Sequence, residues 1–272
     1  ASDCGPQSEL PSVISSTLSN ANAQGYDFLL ELMKENLQFS CTLDGATFNG
    51  NVAQASPFPG ALYVTLDNAL FTLTDSSFDA NQGFAGGAMR IGNNESLVRA
   101  TTFTGNHAAE DGGGVFVGPS SGAPPNFRFE DVTLAFNSAD GNGGGMYAHW
   151  ANAELVDSQV TGNTAGLDGG GVHTRNSLVL TDSNVEDNVA SGIGGGVYAN
   201  RFLTLDGASL TGNTAASAGG FYWSIVPAAS DLFMGGNTPD DIFGSCGPAT
   251  VVSTPAPSSL ACDCASGCIV AP

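Results

Sequence analysis

Apolar and polar positions along most of the chain recur in short stretches with a period of two. Asn184-Val185-Glu186 and Gly196-Val197-Tyr198-Ala199 are examples. This period predicts β-strands, whose successive side chains point to opposite faces. Between residues 41 and 245 no repeated unit has room for a long helix. We therefore expect an all-β protein built from many short strands.

The strand pattern itself repeats along the chain. An apolar residue stands three positions before an asparagine in eight places, and the asparagines follow one another at 30, 25, 31, 26, 25, 25 and 24 residues. A unit of about 25 residues cannot bury its own apolar face, whereas stacked units bury a continuous core. The repeat predicts a single parallel β-helix of about eight coils. The asparagines are Asn51, Asn81, Asn106, Asn137, Asn163, Asn188, Asn213 and Asn237.

Glycine-rich corners follow the asparagines at a regular distance, for example Gly143–Gly145 and Gly169–Gly171. Glycine provides positive φ and space for a tight corner, so we expect the same corner in each coil. Asparagine at one turn position can hydrogen bond to the asparagines above and below. Both columns therefore indicate structural roles.

This repeat resembles that of the polymorphic outer-membrane proteins of chlamydiae. The resemblance rests on Phe78-x-x-Asn81 and Phe103-x-x-Asn106, on the Gly-Gly-Gly corners, and on the closing segment 237–244. It covers residues 41–245 and implies a right-handed, pectin-lyase-like β-helix with a surface or adhesive role. It implies no catalysis. The later repeats depart from it, because Leu, Val or Met replaces Phe.

The two ends of the chain break the repeat. Within residues 8–37, apolar residues fall at helical spacing and predict two short helices, so that residues 1–40 form a helical N-terminal cap on residues 41–245. A partner-binding amphipathic helix is the alternative. Residues 246–272 are rich in Cys and Pro and predict an irregular lid. The helical positions are Leu10, Val13, Ile14, Leu18, Tyr26, Leu29, Leu30, Met33 and Leu37.

All six cysteines lie near the ends, which favours disulfides in an oxidising compartment. Cys4 and Cys41 are the favoured pair. The pairing of the other four stays open, and a zinc site in the segment 262–268 is the alternative. The other four are Cys246, Cys262, Cys264 and Cys268.

The 272 residues include 6 Lys+Arg against 26 Asp+Glu, a net charge of −20. The lack of a basic face argues against nucleic-acid binding, and the short apolar runs argue against a membrane span. The chain begins at Ala1 and has one glycosylation sequon at Asn94. We expect a mature exported product, extracellular or on the cell surface, with an oxidising organelle lumen as the alternative.

Two aspartate columns are candidates for chemistry. Asp75, Asp131, Asp157 and Asp182 each stand six residues before an asparagine, and Asp111 and Asp168 form a second set. One hypothesis places calcium between Asp157 and Asp182, since stacked carboxylates about 5 Å apart repel and calcium takes oxygen ligands. The alternative is that Asp begins a turn. No other cofactor is expected.

The sequence contains no strong motif for enzymatic catalysis. The residues Asp168, His173 and Arg175 form the best catalytic trio, yet His107, His149 and His173 occupy different columns. We expect no catalytic residue. A flat ice-binding face is also considered, but Thr161 and Thr211 do not belong to a regular threonine grid.

An aromatic stripe and two insertions are the candidate contact surfaces. Tyr147, Tyr198 and Tyr222 follow the glycine corners at outward positions. They predict either ordinary ladder packing or a protein or glycan contact face. The insertions, at 55–59 and 118–126, are expected to bulge from one side.

The sequence therefore predicts a non-enzymatic, exported β-helix that serves as a rigid structural or interaction protein, adhesin-like or a subunit of a larger assembly or surface layer. Its partners are expected to be proteins. The alternative is a carbohydrate-active enzyme or a glycan-binding β-helix.

Overall fold

The computed structural model describes residues 2–6, 28–30, 39–53, 56–65, 69–92, 95–118, 124–225, 227–239, 242–244, 247–249, 259–263 and 267–271. These residues form an all-β parallel solenoid and contain no helix. Each turn of the chain passes through up to four sheets, here called sheets 1 to 4. The period-two pattern of the sequence therefore predicted the fold class.

Sheets 1 and 2 carry the longest and the most regular strands. In sheet 1 the described strands are, in spatial order, Ser2–Pro6, Phe39–Asp44, Ala69–Thr74, Glu95–Arg99, Asn126–Glu130, Asn152–Val156, Ser177–Thr181, Phe202–Asp206 and Ala228–Ser230. In sheet 2 they are Thr47–Asn49, Ser77–Asp79, Thr102–Thr104, Thr133–Ala135, Gln159–Thr161, Asn184–Glu186, Ser209–Thr211 and Phe233–Gly235.

Sheets 3 and 4 complete each turn, and a separate hairpin follows. Sheet 3 consists of Gln82–Gly83, His107–Ala108, Ser138–Ala139, Thr164–Ala165 and Val189–Ala190. Sheet 4 consists of Phe28–Leu30, Leu62–Thr65, Met89–Gly92, Val115–Val117, Met146–Ala148, Val172–Thr174, Val197–Ala199, Phe221–Trp223, Ile242–Gly244 and Gly247–Ala249. Ser259–Asp263 pairs with Gly267–Ala271 in the antiparallel hairpin.

The solenoid has about six turns, fewer than the eight coils that the asparagine count predicts. Sheet 3 has five strands in the described residues, whereas sheet 2 has eight. Isolated bridges at Val52 and Thr214 replace strands of sheet 3 in the outer repeats. The terminal repeats keep the sequence pattern without completing every sheet.

The core is a set of inward columns, with one or two contributed by each sheet. The rings of Phe48, Phe78 and Phe103 stack at centroid distances of 4.6 and 4.8 Å. Leu134 and Val160 continue this column, since their strands pair in register. In-register stacking therefore lets a smaller apolar side chain replace Phe while the column stays buried.

The asparagine column forms a hydrogen-bonded ladder inside the turns, as the sequence predicts. The Nδ2 of Asn163 donates to the backbone oxygen of Leu134 at 2.8 Å and to Oδ1 of Asn188 at 2.9 Å. Its Oδ1 accepts from the backbone N–H and the Nδ2 of Asn137, at 2.9 and 3.0 Å. Each buried amide thus joins three successive turns and leaves no polar atom unsatisfied.

The glycine corners are tight for two separate reasons. Gly143 has φ of +65°, a conformation that side chains with a Cβ rarely adopt. Gly144 has no space, because a Cβ there would lie 2.4 Å from the backbone oxygen of Gly170 in the next turn. The corner therefore brings adjacent backbones together, as the repeat predicts.

Antiparallel strands end the parallel sheets at both ends. Ser2–Pro6 pairs with Phe39–Asp44, and Gly247–Ala249 pairs with Ile242–Gly244. Phe28–Leu30 is a strand that pairs with Leu62–Thr65, so the predicted second helix is wrong at these residues. A short apolar run can satisfy either pattern, and the open edge of sheet 4 gives it a hydrogen-bonding partner. The rest of both predicted helices lies outside the described residues.

The backbone register bears on the cysteines. Cys41 is buried and disulfide-bonded, and Cys4 lies directly opposite it in the antiparallel pair. Cys262 lies opposite Cys268 in the C-terminal hairpin. Cys246 and Cys264 lie outside the described residues. The register supports the favoured Cys4–Cys41 pair, and the pairing of the other cysteines stays a prediction.

Replacing Asn163 by Ala should lower the free energy of unfolding by about 2–4 kcal/mol, because it leaves buried groups of the neighbouring turns without partners. Urea denaturation measures this loss. Asn184→Ala, at an exposed position of sheet 2, is the matched control and should change stability by less than about 0.5 kcal/mol. Equal losses of unfolding free energy in the two variants would contradict a stabilising role of the asparagine ladder.

Candidate functional site

The outer side of sheet 4 carries a continuous column of aromatic and cationic side chains. The register places one residue of each strand in this column, which we call the outer column. It runs through Tyr63, Arg90, Phe116, Tyr147, His173, Tyr198 and Tyr222. Residues on either side of each member point into the core, which explains the alternation that the sequence shows.

The rings of His173, Tyr198 and Tyr222 stack on one another along the outer column. His173 and Tyr198 lie 4.5 Å apart with an interplanar angle of 8°, and Tyr198 and Tyr222 lie 4.7 Å apart at 18°. Because the ring faces meet each other, the ring edges are what the column turns outward. The stripe is thus a ladder, and Tyr198 and Tyr222 offer hydroxyl-bearing ring edges rather than flat aromatic platforms.

Tyr147 does not reach solvent, contrary to the expectation that it points outward into water. It is 2 % exposed and packs in a second apolar cluster with Ala85 and Phe116. Tyr198 and Tyr222 are half-buried. Burial, with a smaller contribution from the charge of Asp111, raises the pKa of Tyr147 to about 12. Of the three predicted contact residues, only Tyr198 and Tyr222 are open to a partner.

His173 is a second enclosed titratable group of the outer column. Its ring lies between Tyr147, at 5.0 Å, and Tyr198, and it is 5 % exposed. Burial, with a smaller contribution from the charge of Arg175, lowers the pKa of His173 to about 3. The imidazole is therefore neutral at pH 7, and its Nδ1 is buried without a hydrogen-bond partner among the described residues.

Cationic side chains border the outer column. The Arg90 guanidinium lies 4.4 Å from the centre of the Phe116 ring, and that of Arg175 lies 5.7 Å from the centre of Tyr147. Arg175 also lies 3.4 Å from Nε2 of His149, measured from its terminal nitrogen. His149 and Arg175 occupy the same position directly after paired strands of sheet 4, and the turn there places both beside the rings.

These arginines have no ion pair with a described carboxylate. Among the described residues, the arginines that form ion pairs are Arg99 and Arg128, both on sheet 1. Each contacts Glu130, and Arg128 also contacts Glu154. Burial is the main cause that lowers the pKa of Arg90. Burial also lowers the pKa of His149, and Arg175 adds to this effect. Two guanidinium groups without a described ion-pair partner therefore lie at the outer column of a chain of net charge −20.

The described part of the first insertion covers one end of the outer column. Arg90 donates to the backbone oxygen of Pro57 at 3.1 Å, and Phe58 meets Tyr63 edge to face at 6.1 Å. The second insertion leaves sheet 4 at Gly118, whose N–H bonds to Ile91. Residues 119–123 lie outside the described residues. Both insertions thus adjoin sheet 4.

The first aspartate column has a backbone explanation. Asp75, Asp131, Asp157 and Asp182 have φ between +47° and +52°, and Gly45, Ala100, Gly207 and Asp231 occupy the same position in other turns with φ between +46° and +64°. Aspartate tolerates this left-handed conformation better than most residues. This accounts for the column as a turn signal.

Calcium at Asp157 and Asp182 stays a prediction. Both side chains are exposed, and the described residues contain no group of three or more His, Cys, Asp or Glu side chains arranged to hold a metal ion. The second set is occupied by hydrogen bonds. Asp111 accepts from the N–H of Asn142 at 2.7 Å, and Asp168 accepts from the N–H of Ile193 at 2.8 Å.

The structure brings His173 and Arg175 together but does not assemble the trio with Asp168. The carboxylate of Asp168 contacts the backbone of the next turn, and the neutral, enclosed imidazole of His173 is poorly suited to proton transfer near pH 7. His107 lies apart, on sheet 3, beside Ser138. Thr161 and Thr211 share an outer column of sheet 2, but Glu186 lies between them.

Phe136 is an unusual residue that the sequence reasoning missed. Its side chain is 67 % exposed and its φ is +56°, which a bulky residue rarely adopts. The same turn position precedes each ladder asparagine. The other turns place there Gly50, Ala80, Gly105, Gly162, Asp187, Gly212 and Gly236. Comparing the repeats at the position before Asn would have revealed Phe136.

Comparisons with known proteins give no assignment. No family model, no curated protein and no solved structure matches the chain.

The glycosylation candidate Asn94 lies outside the described residues. Within the part of the chain that the structure describes, no helix has the length and apolar character needed to cross a membrane.

The low pKa of His173 predicts a specific pH dependence. The unfolded chain binds a proton near pH 6.5, but the folded chain does so only near pH 3. The stability that neutral His173 contributes is therefore full above pH 6.5 and is lost as the pH falls toward 3. From pH 7 to 4.5, wild type should lose on the order of 2 kcal/mol more than His173→Phe, measured by urea denaturation.

His173→Phe keeps a ring in the stack, and the carboxylates titrate equally in both proteins, so their effects cancel in the difference. An NMR titration of His173 with a midpoint near 6.5 would rule out the enclosed, neutral imidazole.

Proposed function

We propose that this protein is an exported, rigid β-solenoid that acts without catalysis, as an interaction module or as a subunit of a larger assembly or surface layer. Its partners are proteins. The continuous ladders support this proposal, because they make the solenoid a stiff body that can present fixed side chains along its length. Outward side chains that the fold does not need for its own stability are therefore the candidates for contacting a partner.

The single observation that carries the proposal is Phe136. A non-glycine side chain in the left-handed region costs about 1–2 kcal/mol, and an exposed aromatic ring recovers little of this by burial. A Cβ on Gly162 in the next turn would lie 2.7 Å from the Phe136 ring, so the ring lies over that glycine. Strained, exposed side chains of this kind are concentrated at functional sites.

The properties of Phe136 suit a contact with another protein. Exposed aromatic residues are frequent anchors of protein interfaces, where a partner pocket removes the ring from water. The net charge of −20 keeps the solenoid soluble and favours partners with basic surfaces. The resemblance of the repeat to the polymorphic outer-membrane proteins supports a surface role, since that family is adhesive.

Location outside the reducing cytosol is part of the proposal. The opposed positions of Cys4 and Cys41, and of Cys262 and Cys268, suit bridges that tie down both ends of the chain. Such bridges require an oxidising compartment. The extracellular space or the cell surface is the first choice, and an organelle lumen is the second.

A second candidate function is glycan binding, or action on a carbohydrate, at the outer column of sheet 4. The observation that favours it is the set of outward ring edges and arginines between Arg90 and Tyr222. These groups hydrogen bond to hydroxyl and acidic groups of sugars. Release of saccharide from a polysaccharide panel by the purified protein would favour this candidate and refute the non-enzymatic one.

Phe136→Asn should weaken partner binding at least about tenfold while the fold stays intact, because Asn tolerates positive φ but removes the ring. Immobilised wild type and variant are incubated with extracellular material of the source organism, and the amount of each captured protein is quantified. Thermal melts should differ little between them, since the released backbone strain offsets the lost ring contact.

Phe202→Ala is the matched control, because Phe202 is 54 % exposed on sheet 1. A specific partner is one that wild type and Phe202→Ala retain equally and that Phe136→Asn loses. Equal capture by all three proteins, or capture of nothing by wild type, would count against a contact at Phe136.

A further inference from the structure

Unpaired arginines are unexpected in this chain, since 26 acidic residues accompany only 6 basic ones. Arg90 and Arg175 nevertheless have no carboxylate partner among the described residues, and both lie against rings of the outer column. On sheet 1, by contrast, Arg128 contacts both Glu130 and Glu154. The fold thus pairs arginine on one face and leaves it available on another.

The two arginines belong to one cluster with His149. The centre of the His149 ring lies 6.1 Å from the centre of the Phe116 ring and 5.8 Å from that of Tyr147. Arg90 lies over Phe116, and Arg175 lies over Tyr147 and next to Nε2 of His149. Two guanidinium groups therefore border one short section of the outer column, and their charges both act on His149.

A buried ring nitrogen without a hydrogen-bond partner adjoins this section. The imidazole of His173 stacks next to Tyr147, and its Nδ1 has no hydrogen-bond partner among the described residues although the side chain is 95 % buried. An unsatisfied buried polar atom is costly, so this part of the outer column is not optimised for stability alone. This observation is independent of the arginines.

We propose that the cluster of Arg90, His149 and Arg175 on the outer column is a binding site for an oxyanion group, a carboxylate or a sulfate, carried by a small acidic ligand such as an acidic sugar. The forked guanidinium matches the geometry of such a group and binds it through two parallel hydrogen bonds. His149 borders the same anion.

Nearby carboxylates limit where the anion binds. Asp111 acts on Tyr147 and His149, and Glu110 acts on Arg90. The Oδ1 of Asp111 is occupied by the N–H and the Nδ2 of Asn142, at 2.7 and 3.0 Å, and Glu110 is exposed. The anion therefore occupies the side of the column that carries Arg175 and His149, away from the glycine corner that carries these carboxylates.

Isothermal titration at constant ionic strength tests the site, with sodium sulfate, sodium glucuronate and uncharged glucose as the probes. We expect saturable binding of sulfate, glucuronate or both at 1:1 stoichiometry, and none of glucose. Binding of only one anion identifies the group that the site prefers. Arg175→Gln and, independently, Arg90→Gln should weaken this binding at least about tenfold.

Arg99→Gln is the matched control, since Arg99 lies on sheet 1 and its side chain is 64 % exposed. It should change the affinity by less than about twofold, because surface charge acts weakly at that distance. Absence of saturable anion binding, or equal weakening by Arg99→Gln, would overturn the proposal. The site shares no residue with the Phe136 contact, so either can fail without the other.

Discussion

The hydrogen-bonded ladder of buried asparagines is the constraint on which this solenoid depends. Each turn must pass close to the next, and the polar groups in the bend between sheets 2 and 3 are shielded from water. The amide of Asn163 supplies hydrogen bonds to these shielded groups, in the turn before it and in the turn after it. Because every asparagine uses its neighbours in the same way, the ladder fixes the register of the whole stack.

The fixed register explains how variation is distributed along the chain. Inside, side chains of different size substitute for one another in a column, as Leu134 follows Phe103. At the bends, positive φ favours Gly, Asp or Ala, with Phe136 as an exception, and this preference created the aspartate column at Asp157 and Asp182. On the outer surface, the fixed register places equivalent residues of successive turns next to one another, so that they form ladders. The outer column of sheet 4 therefore follows from the same repeat that builds the core.

The sequence predicted the fold because period-two patterns and in-register columns are local properties that add over many repeats. It also predicted the asparagine ladder and the tight glycine corners. It could not predict the N-terminal strand Phe28–Leu30, since that short apolar run becomes a strand only because an open sheet edge lies beside it. Burial of Tyr147 was missed for a similar reason, because neighbouring turns cover that outward position.

The candidate site was harder to predict than the fold. Arg90 belongs to the outer column, whereas His149 and Arg175 share one turn position directly after paired strands of sheet 4. They meet because that turn lies beside the outer column. Distances between columns on different elements depend on how the turns fold back, which a repeat alignment does not contain. Phe136 is different, since its position before Asn137 is a column that an alignment does show.

Hydrogen exchange of the asparagine side-chain amides, followed by NMR, is the most direct test of the ladder. The Nδ2 protons of Asn106, Asn137, Asn163 and Asn188 should exchange only through global unfolding, with a free energy close to that from urea denaturation. The exposed Asn184 should exchange freely. Exchange of the ladder amides as fast as that of Asn184 would show that the turns are held together by other means.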